Sequence, residues 1–326
     1  MTIKALLYSA DAPDEEPDLA TLVAGSLNSR QLLWIDMVSP GPDEVAQVAG
    51  LLDCGAELLR VGGEASQRPA LANYGSCFRI TVKAVSLDGQ AQATARPLTL
   101  VAGPNYVVSV HESGIDFVDE LRDREKGDST IGSLSSESFI ASLLDWLLNT
   151  YFQALEAIVR EIDTVEVSIL AKRVTRISPE VLEKLMHARR RVADLRRLLN
   201  SHRDVFYGLA RPDFVATEHP ETKPHFEALN KRLERAEDDI DHARDLVVGS
   251  FELLTMRAAQ KTNDTMRALT FVTVLMGTLA LFAGIMGMNF ELGFFKTGQI
   301  GFFVVTGTML LFSALAIWVA WRRKWI

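Results

Sequence analysis

The side chains of this sequence that could do chemistry are mainly oxygen ligands, and they fall in two places. One is a charged segment with a group of carboxylates, comprising Glu234, Glu237, Asp238, Asp239, Asp241 and Asp245. The other is a short polar interval between two apolar segments, where Asn289 and Glu291 stand. Carboxylate and amide oxygens are ligands for hard divalent cations such as Mg²⁺, which gives up its waters reluctantly. The acidic balance of the chain is compatible with a protein that handles cations.

The carboxylate group has a second interpretation. A run of charge on a long helix is typical of a solvated face that pairs with basic residues of its own helix. Arg232, Arg235 and Arg244 are spaced along the same segment and could serve as those partners. The sequence alone leaves both interpretations open.

Catalytic chemistry finds no support. His219 and His225 lie near acidic residues, but their spacing matches no standard zinc motif, and His111-Glu112 is not part of H-E-x-x-H. Cys54 and Cys77 form no C-x-x-C pair. The sequence contains no nucleotide-binding loop and no nucleophile motif. We therefore expect no enzyme and no catalytic cofactor, and the net charge of −8 argues against a nucleic-acid partner.

Two uncharged segments close the sequence. The first holds 23 residues between Arg267 and Glu291, and the second holds 25 between Lys296 and Arg322. A helix of roughly 20 apolar residues crosses a bilayer, so we predict a hairpin of two spans, about 267–289 and 298–321, joined by a short loop. Basic residues flank the cytoplasmic ends of membrane helices. Lys261 and the cluster after residue 321 therefore place both termini in the cytoplasm, with Trp318, Trp321 and Trp325 at the interface.

The remaining residues divide into two further regions. Residues 1–132 have the pattern of an α/β domain, with strand-like runs at 3–9, 32–38, 78–87, 97–101 and 106–111 and a helix at 42–52. Residues 133–265 are helical, with helices at 138–170 and from Pro179 to about residue 209. After Pro224 there is no proline, so residues 225–289 could form one helix that runs as a stalk into the membrane. The membrane region is then 266–326.

Several motifs together resemble the CorA family of divalent-cation channels. Trp34-Ile35-Asp36, Arg68-Pro69 and the strand ending at His111 resemble its soluble domain, and the basic tail after residue 321 resembles its C-terminus. The specific feature is Gly287-Met288-Asn289, placed directly before a short loop in a C-terminal two-span hairpin. This resemblance implies an α+β cytosolic domain with a long helical stalk and two C-terminal transmembrane helices, assembled as a funnel-shaped homopentamer. It also implies a multi-pass protein of the cell inner membrane.

The resemblance also assigns roles to particular residues. It implies that Gly287, Met288 and Asn289 form the mouth of a pore lined by the first span, where neutral amides hydrogen-bond the waters of a hydrated ion. Glu291, repeated in each subunit, could concentrate cations there, or could be one exposed acid near Lys296. Asp238, Asp239 and Asp241 could serve as a regulatory Mg²⁺ site between subunits.

One face of the first span fits a pore lining. Small residues recur there at intervals of three and four, and the same stripe continues upstream to two larger apolar residues: Met266, Leu269, Thr273, Gly277, Ala280 and Gly284. Around an axis, small residues leave room for a hydrated ion. Small residues also let two helices pack closely in lipid, so packing between the two spans of one subunit is the alternative interpretation of this face.

The sequence departs from the family after the Gly-Met-Asn motif and in the helix around residues 184–202. The loop lacks the Met-Pro-Glu-Leu of the magnesium branch and the Gly-Gly-Ile-Pro of the ZntB zinc branch, and the helix is strongly basic. We therefore expect a channel for divalent cations, with Mg²⁺ as the transported and possible regulatory ion. A Zn²⁺ or Co²⁺ transporter of the same fold and a non-conducting membrane sensor or scaffold remain alternatives.

Overall fold

A computed structural model of the chain describes residues 2–19, 22, 27–28, 30–61, 68–87, 93–124, 131, 134–171, 179–214, 222–288 and 298–323. The chain forms two compact units. One holds the described residues up to Ser250, and the other holds those from Phe251 onward.

The first unit contains a six-stranded sheet with the spatial order β1-β2-β6-β5-β4-β3. Strands β2 and β6 run parallel, and every other neighbouring pair is antiparallel. The strands are β1 Thr2–Ser9, β2 Gln31–Val38, β3 Ala70–Asn73, β4 Phe78–Leu87, β5 Ala93–Gly103 and β6 Tyr106–His111. Strand β3 was not predicted, and β5 is longer than the predicted 97–101.

Helices cover both faces of the sheet. On one face, Val45, Val48 and Ala49 of helix α1 (Pro42–Leu51) join a buried cluster with Leu33 and Ile35. On the other face, the rings of Tyr8 and Trp34 pack against Phe139 of helix α3, which spans Ser136–Leu170. Strand β2 is buried on both sides because it lies between these layers, which explains its almost continuous apolar sequence.

Beyond Thr81, strand β4 pairs with β5 on one side and with no described strand on the other, because β3 pairs only with residues Phe78 to Thr81. Side chains of the helical layer satisfy its backbone instead. The Lys83 N–H donates to His202 Nε2 at 2.8 Å, and the Val85 N–H donates to Thr150 Oγ1 at 3.1 Å. An exposed row of strand N–H and C=O groups would otherwise be open to pairing with another chain.

The predicted helix from Pro179 to about residue 209 is two helices, and this expectation was wrong at its end. Helix α4 spans Pro179–Asn200 and helix α5 spans Arg203–Leu209. The break at Ser201 and His202 turns the chain so that the His202 ring reaches the edge of β4, where it is fully buried. A short helix α2, Asp116–Arg124, was not predicted.

The long helix α6 spans Thr222–Met286, so it begins slightly earlier and ends earlier than predicted. Pro224 lies within its first turn, where backbone N–H groups have no intrahelical acceptor and proline is tolerated. In the first unit its buried face comprises Phe226, Leu229, Leu233, Ala236, Ile240, Ala243 and Val247. In the second unit the rest of α6 accompanies helix α7, Gln299–Arg322. Both α6 and α7 contain stretches long and apolar enough to cross a bilayer.

Candidate functional site

Helix α6 ends at the predicted motif. The Gly287 N–H donates to the Ala283 carbonyl at 2.9 Å, four residues back, as in an α-helix. The Met288 N–H donates to the Ile285 carbonyl at 3.3 Å, only three residues back, so the α-helical pattern ends there. A Cβ on Gly287 would lie 3.3 Å from the Ala283 oxygen, which leaves little room for a side chain. Asn289 and Glu291 lie outside the described residues.

The small-residue face of α6 is open in the single chain. All six positions of this face are exposed: Met266, Leu269, Thr273, Gly277, Ala280 and Gly284. A Cβ placed on Gly277 or Gly284 would meet no heavy atom within 4 Å. The Thr273 hydroxyl donates to the Leu269 carbonyl at 2.9 Å, so its donor is satisfied within the helix.

Helix α7 lies on the other side of α6. Leu279, Phe282 and Met286 of α6 line one apolar groove together with α7 residues Val304, Val305, Thr308, Met309 and Phe312. Ala268, Phe271 and Leu275 continue the same side and are half-buried. Each of these positions lies two residues from a member of the small-residue stripe. Because two residues turn an α-helix by roughly 200°, the two sets occupy opposite faces. Packing between the two spans of one chain therefore does not account for the small residues of α6.

Helix α7 also has one face that is less exposed than the rest. Its positions recur at intervals of three and four and comprise Gly301, Val305, Met309, Ser313, Ala316 and Ala320. Arg322 then stacks its guanidinium over the Trp318 ring, 5.3 Å from the centroid.

The carboxylate group of α6 is partnered across helices rather than within one. Asp241 forms an ion pair with Arg196 of α4 at 3.1 Å, and Glu237 forms one with Arg203 of α5 at 2.6 Å. Arg232, which could have neutralised the group from its own helix, pairs with Asp145 of α3 at 2.8 Å. The interpretation of the acids as a solvated face was therefore wrong in predicting that Arg232 pairs with acids of its own helix.

Asp238 and Asp239 are different. Asp238 is exposed, Asp239 is half-buried, and neither side chain forms a hydrogen bond or an ion pair with the described part of the chain. Across the described residues, no three His, Cys, Asp or Glu side chains converge as metal ligands. A site at Asp238 and Asp239 would therefore need ligands from elsewhere.

Sequence reasoning missed a buried polar cluster in the sheet. Asp36 Oδ1 accepts from the Ser109 hydroxyl at 2.5 Å and lies 3.1 Å from His111 Nε2, while Asp36 Oδ2 accepts from Arg122 Nη1 at 3.0 Å. His111 Nδ1 lies 2.6 Å from the Ser113 carbonyl. Burial alone would lower the His111 pKa, but the hydrogen bond and charge of Asp36 raise it. The sequence feature that could have indicated this cluster is the presence of Asp36 and His111 in otherwise apolar strands.

A soluble α+β domain that shares one long helix with an apolar two-helix hairpin defines a class of two-span membrane proteins. The family described as "CorA-like Mg2+ transporter protein" matches residues 29–323, so the chain belongs to this family and is a membrane protein. The predicted α+β domain with a long helix and two apolar C-terminal helices is confirmed.

Relatives support this assignment. The cobalt/magnesium transport protein CorA of Thermotoga maritima is 26% identical over 262 residues, covering 80% of this chain and 73% of the relative. The protein of the same name from Methanocaldococcus jannaschii is 22% identical over 326 residues, covering 99% of this chain and all of the relative. The complete structure of the CorA magnesium transporter from that organism covers 100% of both chains, with a TM-score of 0.71 and 20% identity.

Proposed function

We propose that this protein transports divalent cations, most readily Mg²⁺, through a pore lined by the first apolar span of a homopentamer. The observation that carries the proposal is the open face of α6, where Gly277 and Gly284 have free space and α7 packs on the opposite side. A single two-span subunit cannot enclose a path. Several copies with this face toward a common axis would enclose one.

In this arrangement Gly287, Met288 and Asn289 stand at the mouth. Mg²⁺ keeps several of its waters, and a ring of neutral Asn289 amides can hydrogen-bond those waters without removing them. Conduction requires sites weak enough for the ion to leave, so an uncharged ring suits passage. Glu291, repeated around the mouth, would raise the local cation concentration.

Further along, Thr273, Ala280 and the glycines would line the pore, with Met266 and Leu269 as an apolar constriction. The sequence contains no nucleotide-binding motif, so we take the ion gradient and the membrane potential as the driving forces. The protein has no enzymatic role in this proposal and binds no nucleic acid. Its partners are its own copies, the lipid bilayer and divalent cations.

The proposed organisation places residues 1–132 and 133–265 in the cytoplasm and residues 266–326 in the cell inner membrane. Both termini are then cytoplasmic, in keeping with the basic residues near 261–267 and after 321. Asp238, Asp239 and Asp241 are the proposed regulatory Mg²⁺ ligands. Asp241 could contribute only if the ion displaced Arg196.

Uptake of labelled ions into proteoliposomes tests the function. We expect Mg²⁺ flux that unlabelled Mg²⁺ competes away more effectively than Co²⁺ or Zn²⁺. Preferential competition by Zn²⁺ or Co²⁺ would identify a transporter of another ion with the same fold. Absence of flux for all three ions, with correctly assembled protein, would favour the non-conducting sensor or scaffold.

A further inference from the structure

Exposed apolar side chains gather at one end of the α3–α4 hairpin. Val167 is 69% exposed and Met186 is 58% exposed, and Leu170 and Leu182 are also exposed. Arg191 pairs with Glu161, and His202, which follows α4, packs its ring against Tyr151 of α3. Residue numbers rise along one helix as they fall along the other, so the two helices run antiparallel and all four side chains lie toward the end where the chain passes from α3 to α4. Within each helix the spacing of three or four residues places the pair on one face. We call these four residues the hairpin patch.

The sequence that contains the hairpin patch is basic. Residues 167–190 contain six basic residues, Lys172, Arg173, Arg176, Lys184, Arg189 and Arg190, against two acids, Glu180 and Glu183. The excess of four positive charges contrasts with the net charge of −8 for the whole chain. Lys184, Arg189 and Arg190 are exposed and form no ion pair with any described residue.

We propose that the hairpin patch, together with Lys184, Arg189 and Arg190, docks on the anionic surface of the bilayer that holds the chain. Apolar side chains flanked by Lys and Arg are the composition of segments that lie in a membrane interface, and the cytoplasmic leaflet attracts basic segments through its anionic headgroups. This inference rests on the proposed cytoplasmic orientation, and not on ion conduction. The basic helix, one of the departures from the family, thereby acquires a role.

A fluorophore on Met186→Cys tests the docking in the full-length protein. The native thiols compete poorly for the label at neutral pH, since Cys77 is buried and burial raises the Cys54 pKa to about 11; labelled wild type serves as the blank. The protein is reconstituted in phosphatidylcholine alone and in phosphatidylcholine mixed with phosphatidylglycerol, each carrying nitroxide-labelled acyl chains. Ala193→Cys is the matched control, because it lies on the same face about 10 Å further from the hairpin end.

We expect nitroxide lipids to quench the label at position 186 several-fold more in the anionic bilayer than in the neutral one. The difference should shrink at high salt and in the Lys184→Gln, Arg189→Gln, Arg190→Gln variant, and the label at 193 should stay unquenched. Leu182→Cys should repeat the result. A label that remains accessible to aqueous iodide in both bilayers would overturn the proposal. So would a label shielded from both quenchers, which would assign the patch to a second copy of the chain. Neither readout depends on transport.

Discussion

Gly287 is the residue whose neighbourhood limits substitution most clearly at the proposed mouth. Gly287 follows the last residue of α6, and its N–H donates to the Ala283 carbonyl oxygen. A methyl group at position 287 would lie very close to that same oxygen. The N–H of the following residue, Met288, donates to Ile285, three residues back instead of four. Any side chain at position 287 would therefore disturb how the backbone leaves the helix.

We predict that Asn289→Ala and Gly287→Ala each lower divalent-cation flux by about tenfold or more, which a change of about 1.4 kcal/mol in the barrier would produce. The first change removes the amide that would bind the ion's waters, and the second displaces it. Flux into liposomes at matched protein density is the measurement, with native mass spectrometry as the control for assembly. Wild-type flux in both variants would show that the motif does not form the mouth.

Two buried histidines in the soluble unit respond to pH in opposite ways. His202 accepts from the Lys83 N–H, and burial lowers its pKa from 6.5 to about 4. Its contribution to stability is therefore present above pH 6.5 and is lost as the pH falls toward 4, because the unfolded chain takes up the proton first. The pKa of His111 is raised by Asp36, so its contribution is present below pH 6.5 and is lost as the pH rises through the raised value.

We predict that hydrogen exchange at the Lys83 amide accelerates as the pH falls from 6.5 to 4, after correction for the intrinsic rate. The full loss corresponds to roughly 3 kcal/mol, at about 1.4 kcal/mol for each pKa unit. His202→Phe should weaken the protection at pH 7 and remove most of this acid dependence. His111→Asn is the matched control and should retain it. Equal acid dependence in His202→Phe and wild type would contradict the assignment.

At the scale of elements, the two faces of α6 have different surroundings. One face is covered by α7, and the other is open in a single chain. A larger residue on the open face should leave the subunit intact and affect only what the face meets after assembly. Helix α7 supplies a comparison, because a Cβ on Gly307 would also meet nothing within 4 Å.

We predict that Gly277→Val and Gly284→Val lower ion flux by about tenfold or more, since each would add side chains around a narrow axis, while Gly307→Val lowers it far less. Substituting glycine by valine changes helix propensity by only a few tenths of a kcal/mol at all three positions, so the comparison isolates location. Liposome flux and the amount of folded protein in detergent are the measurements. Equal effects at positions 277, 284 and 307 would remove the pore lining from this face.

The regulatory proposal also belongs to this scale, because α4 and α5 already neutralise part of the acidic segment of α6. Asp238 and Asp239 are unpartnered in the described residues, whereas Asp241 is held by Arg196. A cation regulates only if it binds one conformational state better than another. The free energy that Asp241 contributes to cation binding must therefore be reduced by the loss of its ion pair with Arg196.

We predict that cytosolic Mg²⁺ inhibits flux and that replacing Asp238, Asp239 and Asp241 together by Asn shifts the midpoint of inhibition several-fold toward higher Mg²⁺. Arg196→Gln should shift it toward lower Mg²⁺, because Asp241 is then free. Arg197→Gln is the control, since Arg197 pairs with Asp194 on its own helix. Flux against internal Mg²⁺ gives the midpoints. Superimposable curves for the triple variant and wild type would place regulation elsewhere.

At the scale of the whole molecule, two spans with a single uncovered face require other copies to complete a path. We predict a pentamer, which native mass spectrometry of the detergent-solubilised protein would record at five times the chain mass of 36.1 kDa. Gly307→Val, away from the proposed axis, should not change the number of chains in the assembly. A stable monomer or dimer as the largest species would exclude the proposed pore.

The sequence by itself determined the two apolar spans and the central strands. Local composition and periodicity specify these features, so the apolar run of β2 and the charge-free segments after Arg267 were sufficient. The α+β class came from the family resemblance, which rests on the Gly-Met-Asn motif and its position. Only the tertiary structure decided which face of α6 meets α7, and that Arg196 and Arg203 partner its acids. It also decided that His202 closes the edge of β4, 119 residues earlier in the chain. Contacts of this kind depend on how distant helices pack, and short-range sequence patterns carry no record of that packing.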